Sequence, residues 1–316
     1  MNYRPLGSTG LTVSEIGFGA WGIGGRTAGA TSYGETDDRV SRAAIERALA
    51  LGITFFDTAP AYGDGRSERL IGAALAGTAA VIATKAGIER FGEAPDFSPA
   101  GLRRSLEGSL GRLKRDNVDL LQLHDPPPDL FETAPETHAA LEEMRREGLI
   151  RAFGVSAKSP ADALAMLRRH RVPVVQVNLN MLDTRAVECG LLALAEASAT
   201  GIIARTPLSF GFLAGAAQRD FPPGDHRRRW PAEQIERWRE GARAAHAIAG
   251  SQAESPSQTA LRFCLSFPAV ATVIPGILSE AEASENAGAS ALGPLPAAVR
   301  DRVLSLNKES SFFAGG

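Results

Sequence analysis

Four ionisable side chains stand where they could carry out proton-transfer chemistry. Asp57 ends the apolar start of "FFDTAPAYGDGRSE" and Tyr62 follows in the same stretch, whereas Lys85 and His124 lie in "VIATKAG" and "LLQLHDP". A free phenol has a pKa of about 10, and an adjacent ammonium stabilises the phenolate and lowers that pKa. Asp57 can pair with Lys85 and offset the cost of burying its charge. With His124 hydrogen-bonded to a substrate oxygen, the set predicts a site that protonates and polarises a carbonyl group.

Each of these residues also has a purely structural interpretation. A strand-end Asp commonly caps a turn, a lone His is often a satisfied polar residue, and a loop Tyr often only packs. Lys85 favours the functional interpretation, because only four of the 34 basic residues in the chain are lysines. A compact ammonium can tune a neighbouring group in a way that the permanently charged guanidinium of Arg cannot.

The sequence lacks several catalytic motifs, which excludes some classes of reaction. It contains no Ser or Cys in a nucleophile elbow, no HExxH and no clustered metal ligands, so we expect no metal site. A site that donates a proton but has no nucleophile needs an outside reductant. Hydride from a nicotinamide is the simplest supply.

Eight short apolar stretches alternate with amphipathic helical patterns and must position these residues. The predicted strands are Ile16–Gly19, Thr54–Asp57, Ala80–Lys85, Val118–His124, Ile150–Val155, Val174–Leu179, Gly201–Arg205 and Val270–Ile274. Strict alternation with near-continuous apolar strands favours a closed parallel α/β barrel, the (β/α)8 TIM barrel. The second, third and fourth strands are neighbours in such a barrel, so their polar ends converge at one side of its mouth.

Further elements are added to the eight repeats. A β-hairpin is predicted in "NYRPLGSTGLTVS", with Gly7 and Gly10 marking its turn. Two extra helices are predicted over 231–250 and 294–308, and "RAVECGLLALAEAS" at 185–198 has the pattern of one helix. Nothing resembles a linker, so we expect residues 1–316 to form a single domain.

A G-x-G-x-x-G pattern, "GFGAWG", follows the first predicted strand. In a dinucleotide-binding Rossmann fold, the third glycine opens a helix whose amino terminus faces the pyrophosphate. Here a glycine-rich stretch continues until a helix can begin near Asp37. The pattern therefore indicates a loop rather than a Rossmann fingerprint.

The composition restricts the partners and the compartment. The 316 residues carry a formal charge of −2 with both signs dispersed, which favours a small-molecule partner over nucleic acid or a membrane. The arginines in "DHRRRW" belong to a stretch of mixed charge, which favours a solvated helix over a nucleic-acid surface. Cys189 and Cys264 are too few for a disulfide framework. Because "MNYRPLGSTGLT" lacks a leader pattern, we expect a cytoplasmic protein, either a monomer or a small homo-oligomer.

Several stretches together resemble the aldo-keto reductases over essentially the whole chain. They are "YRPLGSTGLTVSEIGFGAWGIGG", "FFDTAPAYGDGRSERLIGAAL", "DLLQLHDP", "GVSA", "QVNLN", "RTPLSFGFLAG" and "VIPGILSEAEASENAGA". The resemblance implies the same barrel and a catalytic tetrad of Asp57, Tyr62, Lys85 and His124. Tyr62 would be the general acid in carbonyl reduction and the general base in alcohol oxidation. Trp21, Tyr62 and His124 would border the substrate.

The resemblance also implies a set of cofactor contacts. Asp57 and the stretch Gly19, Ala20 and Trp21 would border the nicotinamide riboside. Ser156 and Gln176 would hold the carboxamide, and Arg205 would pack over the ring. The pyrophosphate would be lined by Thr206, Pro207, Leu208, Gly211 and Leu213, and the adenosine end by Gly276, Ser279, Glu282, Glu285 and Asn286. The stretch 209–230 would close over the cofactor.

Two departures from the family pattern concern the cofactor. Ala157 follows Ser156 where the family usually has Asn, so one carboxamide contact is lost or supplied elsewhere. Leu278 and Glu282 stand where Lys or Arg usually bind the 2′-phosphate of NADPH, the family's default cofactor. An acidic residue there favours a free ribose hydroxyl, so the two residues suggest NADH or dual use of NAD(P)H.

Two other functions remain open from the sequence. One is a lyase that forms a Schiff base on Lys85, and the other is a cofactor-binding regulatory subunit with little turnover. The substrate depends on the loops after the first, fourth and seventh strands. It also depends on whether Phe312 or Phe313 in "SSFFAGG" reaches the pocket or lies in a frayed terminus.

Overall fold

Eight parallel strands form a barrel whose outside is covered by helices. The computed structural model describes residues 1–26, 32–215, 221, 224–250, 254–310 and 312–313. The barrel strands are β3 (Phe18–Gly19), β4 (Phe55–Asp57), β5 (Val81–Ala86), β6 (Val118–His124), β7 (Ile150–Ser156), β8 (Val174–Asn178), β9 (Gly201–Arg205) and β10 (Val270–Ile274). Each strand pairs with the next in chain order. The parallel bridges Ile16–Val273 and Gly19–Gly276 join the first strand to the last. The predicted (β/α)8 barrel is confirmed.

The helices of the described residues alternate with these strands. They are α1 (Asp38–Ala50), α2 (Arg66–Ala74), α3 (Pro99–Leu113), α4 (Leu130–Thr133), α5 (Pro135–Arg146), α6 (Pro160–Arg169), α7 (Arg185–Glu188), α8 (Leu191–Ala197), α9 (Ala232–Ala249), α10 (Pro256–Leu265), α11 (Glu280–Leu292) and α12 (Ala297–Ser310). Polar side chains cap several amino termini, as at α10, where Ser255 and Gln258 form a capping box. In the part described, no helix is long and apolar enough to cross a membrane.

A hairpin closes the amino-terminal end of the barrel. Its strands β1 (Tyr3–Pro5) and β2 (Thr12–Ser14) pair antiparallel, as predicted. Its side chains Leu6, Leu11 and Val13 pack with barrel residues such as Phe55 and Leu120 in one buried cluster. The lower barrel is therefore filled largely with apolar side chains, whereas Asp57, Lys85 and His124 are buried at the carboxyl ends of their strands.

The prediction of one helix over 185–198 is wrong. The segment forms α7 and α8, which are separated at Gly190, where φ is 84°. A residue with φ in the left-handed region cannot continue a right-handed helix, and glycine adopts it without a Cβ penalty.

The two extra helices are present as α9 and α12, which pack against each other. The carboxyl-terminal Phe312 is buried against α9, where its carbonyl accepts a hydrogen bond from Trp238 Nε1 at 3.2 Å. Phe313 packs against the Trp238 ring with a centroid distance of 5.1 Å. Both rings are packed, and neither lines the cavity described below; Ser311 and residues 314–316 of this segment lie outside the described part.

Candidate active site

Asp57 and Lys85 form a buried ion pair at the carboxyl ends of β4 and β5. Lys85 Nζ donates to Asp57 Oδ2 at 2.6 Å and to the carbonyl of Thr58 at 2.9 Å. The Lys85 side chain has no exposed surface. Burial alone would lower the pKa of Lys85, but the Asp57 carboxylate, together with Tyr62, more than offsets it, so the pKa lies above its ordinary value. The lysine is held as an ammonium ion.

Two buried amides hold the other oxygen of the Asp57 carboxylate. Oδ1 accepts hydrogen bonds from Gln122 Nε2 at 3.0 Å and from Gln176 Nε2 at 2.8 Å. Gln176 Nε2 also donates to Gln122 Oε1 at 3.1 Å. A carboxylate only accepts hydrogen bonds, so its position determines which way both amides face. Sequence reasoning missed Gln122, although its place two residues before His124 on a strand indicates the same face.

Tyr62 lies beside this ion pair, in the loop between β4 and α2. The Lys85 ammonium is 4.7 Å from the centroid of the Tyr62 ring. Burial raises the pKa of Tyr62 above its ordinary value, and Lys85 lowers it without cancelling the effect of burial. The predicted net lowering of this pKa is therefore wrong, because desolvation of the phenolate outweighs the ammonium.

His124 ends β6 and faces Tyr62 and Phe91 across the mouth of the barrel. The ring centroids of His124 and Tyr62 are 6.2 Å apart, and those of His124 and Phe91 are 6.1 Å apart. Burial, reinforced by the charges of Lys85 and Arg205, places the pKa of His124 well below its ordinary value. Its Nδ1 is buried and has no hydrogen-bond partner among the described residues. The structure thus brings the four residues together around a neutral imidazole.

A cavity of about 500 Å³ opens above these groups. Of the residues predicted to touch cofactor or substrate, those that line it are Gly19, Trp21, Asp57, Tyr62, His124, Gln176, Arg205, Thr206 and Gly276. The predicted residues that do not line it are Ala20, Lys85, Ser156, Pro207, Leu208, Gly211, Leu213, Ser279, Glu282, Glu285 and Asn286. Lys85 lies directly beneath Tyr62 and Asp57, so its absence from the lining reflects burial rather than distance.

Arg205 extends across the mouth from the end of β9. Its Nη1 donates to Ser156 Oγ at 3.0 Å and its Nη2 donates to the carbonyl of Ala157 at 2.8 Å. Ser156 Oγ in turn donates to Gln176 Oε1 at 3.3 Å. The hydrogen bonds therefore run in one direction, from the guanidinium through Ser156 and Gln176 to the Asp57 carboxylate.

Leu278 and Glu282 lie at the start of α11. Glu282 Oε2 accepts a hydrogen bond from the Leu278 amide at 2.6 Å, and Ser279 caps the helix by accepting from the Glu282 amide. Burial raises the pKa of Glu282, and the Leu278 hydrogen bond opposes the increase. The Glu282 carboxylate therefore faces the backbone N–H of Leu278.

The stretch 209–230 covers one side of the cavity, although residues 216–220 and 222–223 of it lie outside the described part. Arg227 pairs with Asp225 at 2.6 Å, stacks over Tyr33 with 4.7 Å to the ring centroid, and donates to the carbonyl of Phe210 at 2.8 Å. The backbone N–H of His226 donates to the carbonyl of Ser32 at 3.0 Å. Arg227 is thus a packed residue, whereas the other two consecutive arginines are exposed, as expected of a solvated segment.

Sequence reasoning missed much of the cavity lining. The missed residues include Tyr33, Phe91, Asp125 and Asn178, whereas His226, Arg229 and Trp230 belong to the stretch 209–230 that was expected to close over the cofactor. Asn178 and Asp125 had a detectable signal, since one lies two residues after Gln176 on β8 and the other directly follows His124. The others come from loops that no local pattern places. Among the described residues, no group of three or more His, Cys, Asp or Glu side chains could hold a metal ion.

Comparisons with known proteins agree with this arrangement. The model of the aldo/keto reductase family matches residues 15–308. An NADH-specific methylglyoxal reductase of Escherichia coli is 34% identical over 72% of this chain and 73% of its own length. L-galactose dehydrogenase of Arabidopsis thaliana is 32% identical over 90% of this chain and 87% of its own.

Comparison with solved structures also indicates an aldo-keto reductase fold. The holo form of an aldo-keto reductase from Bacillus halodurans superposes with a TM-score of 0.78 at 28% identity, covering 97% of this chain and 96% of that one. A glycerol dehydrogenase from Gluconobacter oxydans gives a TM-score of 0.80 at 26% identity, covering 99% of this chain and 97% of that one. With its family-model match, its relatives and its barrel in agreement, the chain belongs to the aldo/keto reductase family of NAD(P)H-dependent oxidoreductases.

Proposed function

We propose that this protein interconverts an aldehyde or ketone and its alcohol, with Tyr62 as the general acid in reduction and the general base in oxidation. The observation that carries the proposal is the contact between Tyr62 and the Lys85 ammonium, 4.7 Å from the phenol ring, at the base of a cavity that His124 also lines. This arrangement holds a proton donor, a group that stabilises its anion and a neutral imidazole around one point.

The cavity suits a nicotinamide cofactor. Trp21, Gln176, Arg205 and Gly276 would hold it, because they combine an aromatic face, polar groups and open backbone around the same space. An added Cβ at Gly276 would meet no atom of the residues that the structure describes within 4 Å, so the backbone there leaves room for a ligand. When bound, the reduced cofactor supplies the hydride that the carbonyl carbon gains.

The residues of the chain supply the other half of the reaction. Tyr62 gives its proton to the carbonyl oxygen, and Lys85 stabilises the phenolate that this leaves. Asp57 keeps Lys85 charged through the 2.6 Å ion pair. The neutral His124 ring can donate one N–H to the substrate oxygen and so orient it. Phe91 and Trp21 line the same cavity beside the reacting groups.

Of the two alternative functions, the lyase is the less favoured. A Schiff base needs a neutral amine, and the raised pKa of Lys85 keeps the ammonium protonated. A regulatory subunit would need no proton donor, so the packing of Tyr62 against Lys85 favours catalysis. Tight cofactor binding without turnover across a broad set of carbonyl compounds would instead favour the regulatory function.

The proposal is tested by replacing Tyr62 with Phe. We expect kcat to fall by roughly 10²- to 10⁴-fold, the usual contribution of a general acid, while the cofactor dissociation constant stays nearly unchanged. Tyr3→Phe is the matched control, since Tyr3 is half exposed on the hairpin, and it should retain full activity. If Tyr62→Phe keeps wild-type turnover, the assignment of the proton donor is wrong.

We further propose a preference for NADH over NADPH. A 2′-phosphate near Leu278 and Glu282 would meet a carboxylate rather than a cation, and the repulsion disfavours it. The Escherichia coli relative bears the name of an NADH-specific enzyme. We expect a fluorescence titration to give a lower dissociation constant for NADH.

The same titration of a variant tests the cause of this preference. Glu282→Arg should shift binding towards NADPH, whereas Glu280→Gln, at an exposed position of the same helix, should not. Equal affinities in the wild type, or an unchanged ratio in Glu282→Arg, would contradict the assignment.

A further inference from the structure

The chain turns sharply where it leaves β9 at the mouth of the cavity. Thr206, the first residue after the strand, has a φ of 56°, and its carbonyl accepts a hydrogen bond from the Ser209 N–H at 3.0 Å. Thr206 lines the cavity, and so does Phe210 beyond the turn. The turn therefore determines whether the segment after β9 borders the cavity that we propose for the cofactor.

The left-handed backbone is unfavourable for Thr206 on two grounds. A β-branched residue with a positive φ is an outlier, because its Cβ crowds the following carbonyl. Thr206 also precedes Pro207, and the residue before a proline is normally extended. Three of the seven described non-glycine residues with a positive φ lie within 206–210, so the unfavourable backbone is concentrated at this turn. Such a conformation persists only where the surrounding structure holds it.

Asn180, in the loop after β8, holds the carbonyl of Thr206. Its Nδ2 donates to this carbonyl at 3.0 Å, and its Oδ1 accepts from the N–H groups of Leu182 at 2.8 Å and Asp183 at 2.9 Å. Because an amide oxygen only accepts, these two bonds determine which way the amide faces. Asn180 is 1% exposed and is not among the residues that line the cavity. It can therefore act on a ligand through Thr206 but not by contact.

Asn178, at the end of β8, holds the side chain of Thr206 instead. Its Oδ1 accepts hydrogen bonds from Thr206 Oγ1 at 2.9 Å and from Arg205 Nε at 3.0 Å. Asn178 itself lines the cavity. Asn178 therefore orients side chains at the end of β9, and Asn180 holds the backbone that follows them.

We propose that Asn180 is a positioning residue for cofactor binding, because it holds Thr206 in the left-handed conformation that keeps the turn after β9 at the cavity. This inference rests on the proposed function and adds to it a residue that does not touch the cofactor. If the turn opens in part of the molecules, the apparent affinity for the cofactor falls with the fraction that still has the turn. A hydrogen bond changes such an equilibrium by roughly 2- to 10-fold.

The test is a fluorescence titration with NADH or NADPH, whichever binds the wild type more tightly. Asn180→Ser keeps an oxygen acceptor for the N–H groups of Leu182 and Asp183 but is too short to reach the Thr206 carbonyl. We expect the dissociation constant to rise by roughly 2- to 10-fold, with kcat at saturating cofactor nearly unchanged. Asn180→Asp places a carboxylate oxygen against that carbonyl and should raise the dissociation constant at least as much. It gives the same test if Asn180→Ser does not fold.

Thr206→Gly tests the cause of this effect. Glycine adopts a positive φ without the Cβ penalty, so the turn then needs less support from Asn180. In the Thr206→Gly background, we expect Asn180→Ser to change the dissociation constant by less than about 2-fold. A general loss of stability at Asn180 would not depend on the residue at position 206 in this way.

Asn307→Ala and Ala199→Gly are the matched controls. Asn307 is another buried amide that donates to a backbone carbonyl, that of Met181 at 2.7 Å. Asn307→Ala should lower the stability in urea and leave the dissociation constant unchanged. Ala199 also has a left-handed backbone, with a φ of 55°, but does not line the cavity, so Ala199→Gly should not alter cofactor binding.

Several outcomes would overturn this inference. One is a dissociation constant of Asn180→Ser within about 2-fold of the wild-type value. The others are an equal rise in the Thr206→Gly background and a rise of the same size in Asn307→Ala. In these cases the wild type still binds the cofactor, and the proposed function stands. If the wild type binds neither NADH nor NADPH, both the inference and the proposed function fail.

Discussion

Replacing Lys85 with Met should destabilise the folded protein by about 3 kcal/mol. The Lys85 side chain has no exposed surface, and its Nζ lies 2.6 Å from Asp57 Oδ2. Met fills a similar volume without the charge, so the Asp57 carboxylate remains buried without its counter-ion. Breaking a buried ion pair from one side costs about 3 to 5 kcal/mol. The expected loss lies at the lower end, because Gln122 and Gln176 still donate to Asp57 Oδ1.

The assay is urea unfolding at pH 7, followed by circular dichroism and Trp fluorescence to test whether the transition is two-state. The double variant Asp57→Asn/Lys85→Met has no charge left at either position of this pair and should be more stable than Lys85→Met alone. Lys158→Met, at an exposed position, is the control and should lie within about 0.5 kcal/mol of the wild type.

The pH dependence of this difference follows from the direction of the Lys85 pKa shift. Because the pKa is raised in the folded state, the stabilisation is fully present below the unfolded value of about 10.4 and is lost only as the pH rises through the folded value. The contribution of the Lys85 charge to the stability of the wild type should therefore not decline between about pH 6 and pH 9. A loss below about 1 kcal/mol, or a double variant no more stable than the single one, would refute the reasoning.

Three further predictions concern the groups around this pair. Gln122→Met should cost about 2 kcal/mol in urea unfolding, and Gln122→Glu should cost more at pH 8 than at pH 5, because a second carboxylate then faces the first. Because the pKa of His124 is lowered in the folded state, the stability that the neutral ring contributes is fully present above about pH 6.5. As the pH falls below this value, the free energy of unfolding should decrease by up to about 1.4 kcal/mol per pH unit. In His124→Asn this decrease should disappear. Gly63→Ala would place a Cβ 2.1 Å from the carbonyl oxygen of Gly24. Its thermal midpoint should fall well below that of Gly77→Ala, a similarly left-handed position where an added Cβ meets no described residue within 4 Å.

The barrel could be predicted from the sequence because each repeat carries its own local signal. A strand such as β5, "VIATKA", is buried throughout, and a helix such as α3 begins at a polar cap, Ser98, followed by Pro99. The break at Gly190 could not be predicted, because an isolated glycine within a helical pattern is often tolerated. Its left-handed backbone became visible only in the structure.

The candidate site also combines residues that could be predicted from the sequence with residues that could not. The strand-end residues Asp57, Lys85 and His124 converge because strand order in a barrel follows chain order. The cavity wall formed by Phe91 could not be predicted, since loops have no periodicity that places a side chain. The pKa of Tyr62 also required the structure, because the sequence identifies its charged neighbour but not the extent of its burial.

The closure of the barrel has a consequence for the order of folding during synthesis. Asn2 bonds to Ser290, 288 residues away, and Arg4 bonds to the carbonyl of Val270, 266 residues away. Translation adds about 5 to 20 residues per second, so the first hairpin waits roughly 13 to 60 s for these partners. Its apolar side chains have no barrel to fill during that interval. We therefore expect nascent chains to depend on chaperones until β10 and α11 have been synthesised.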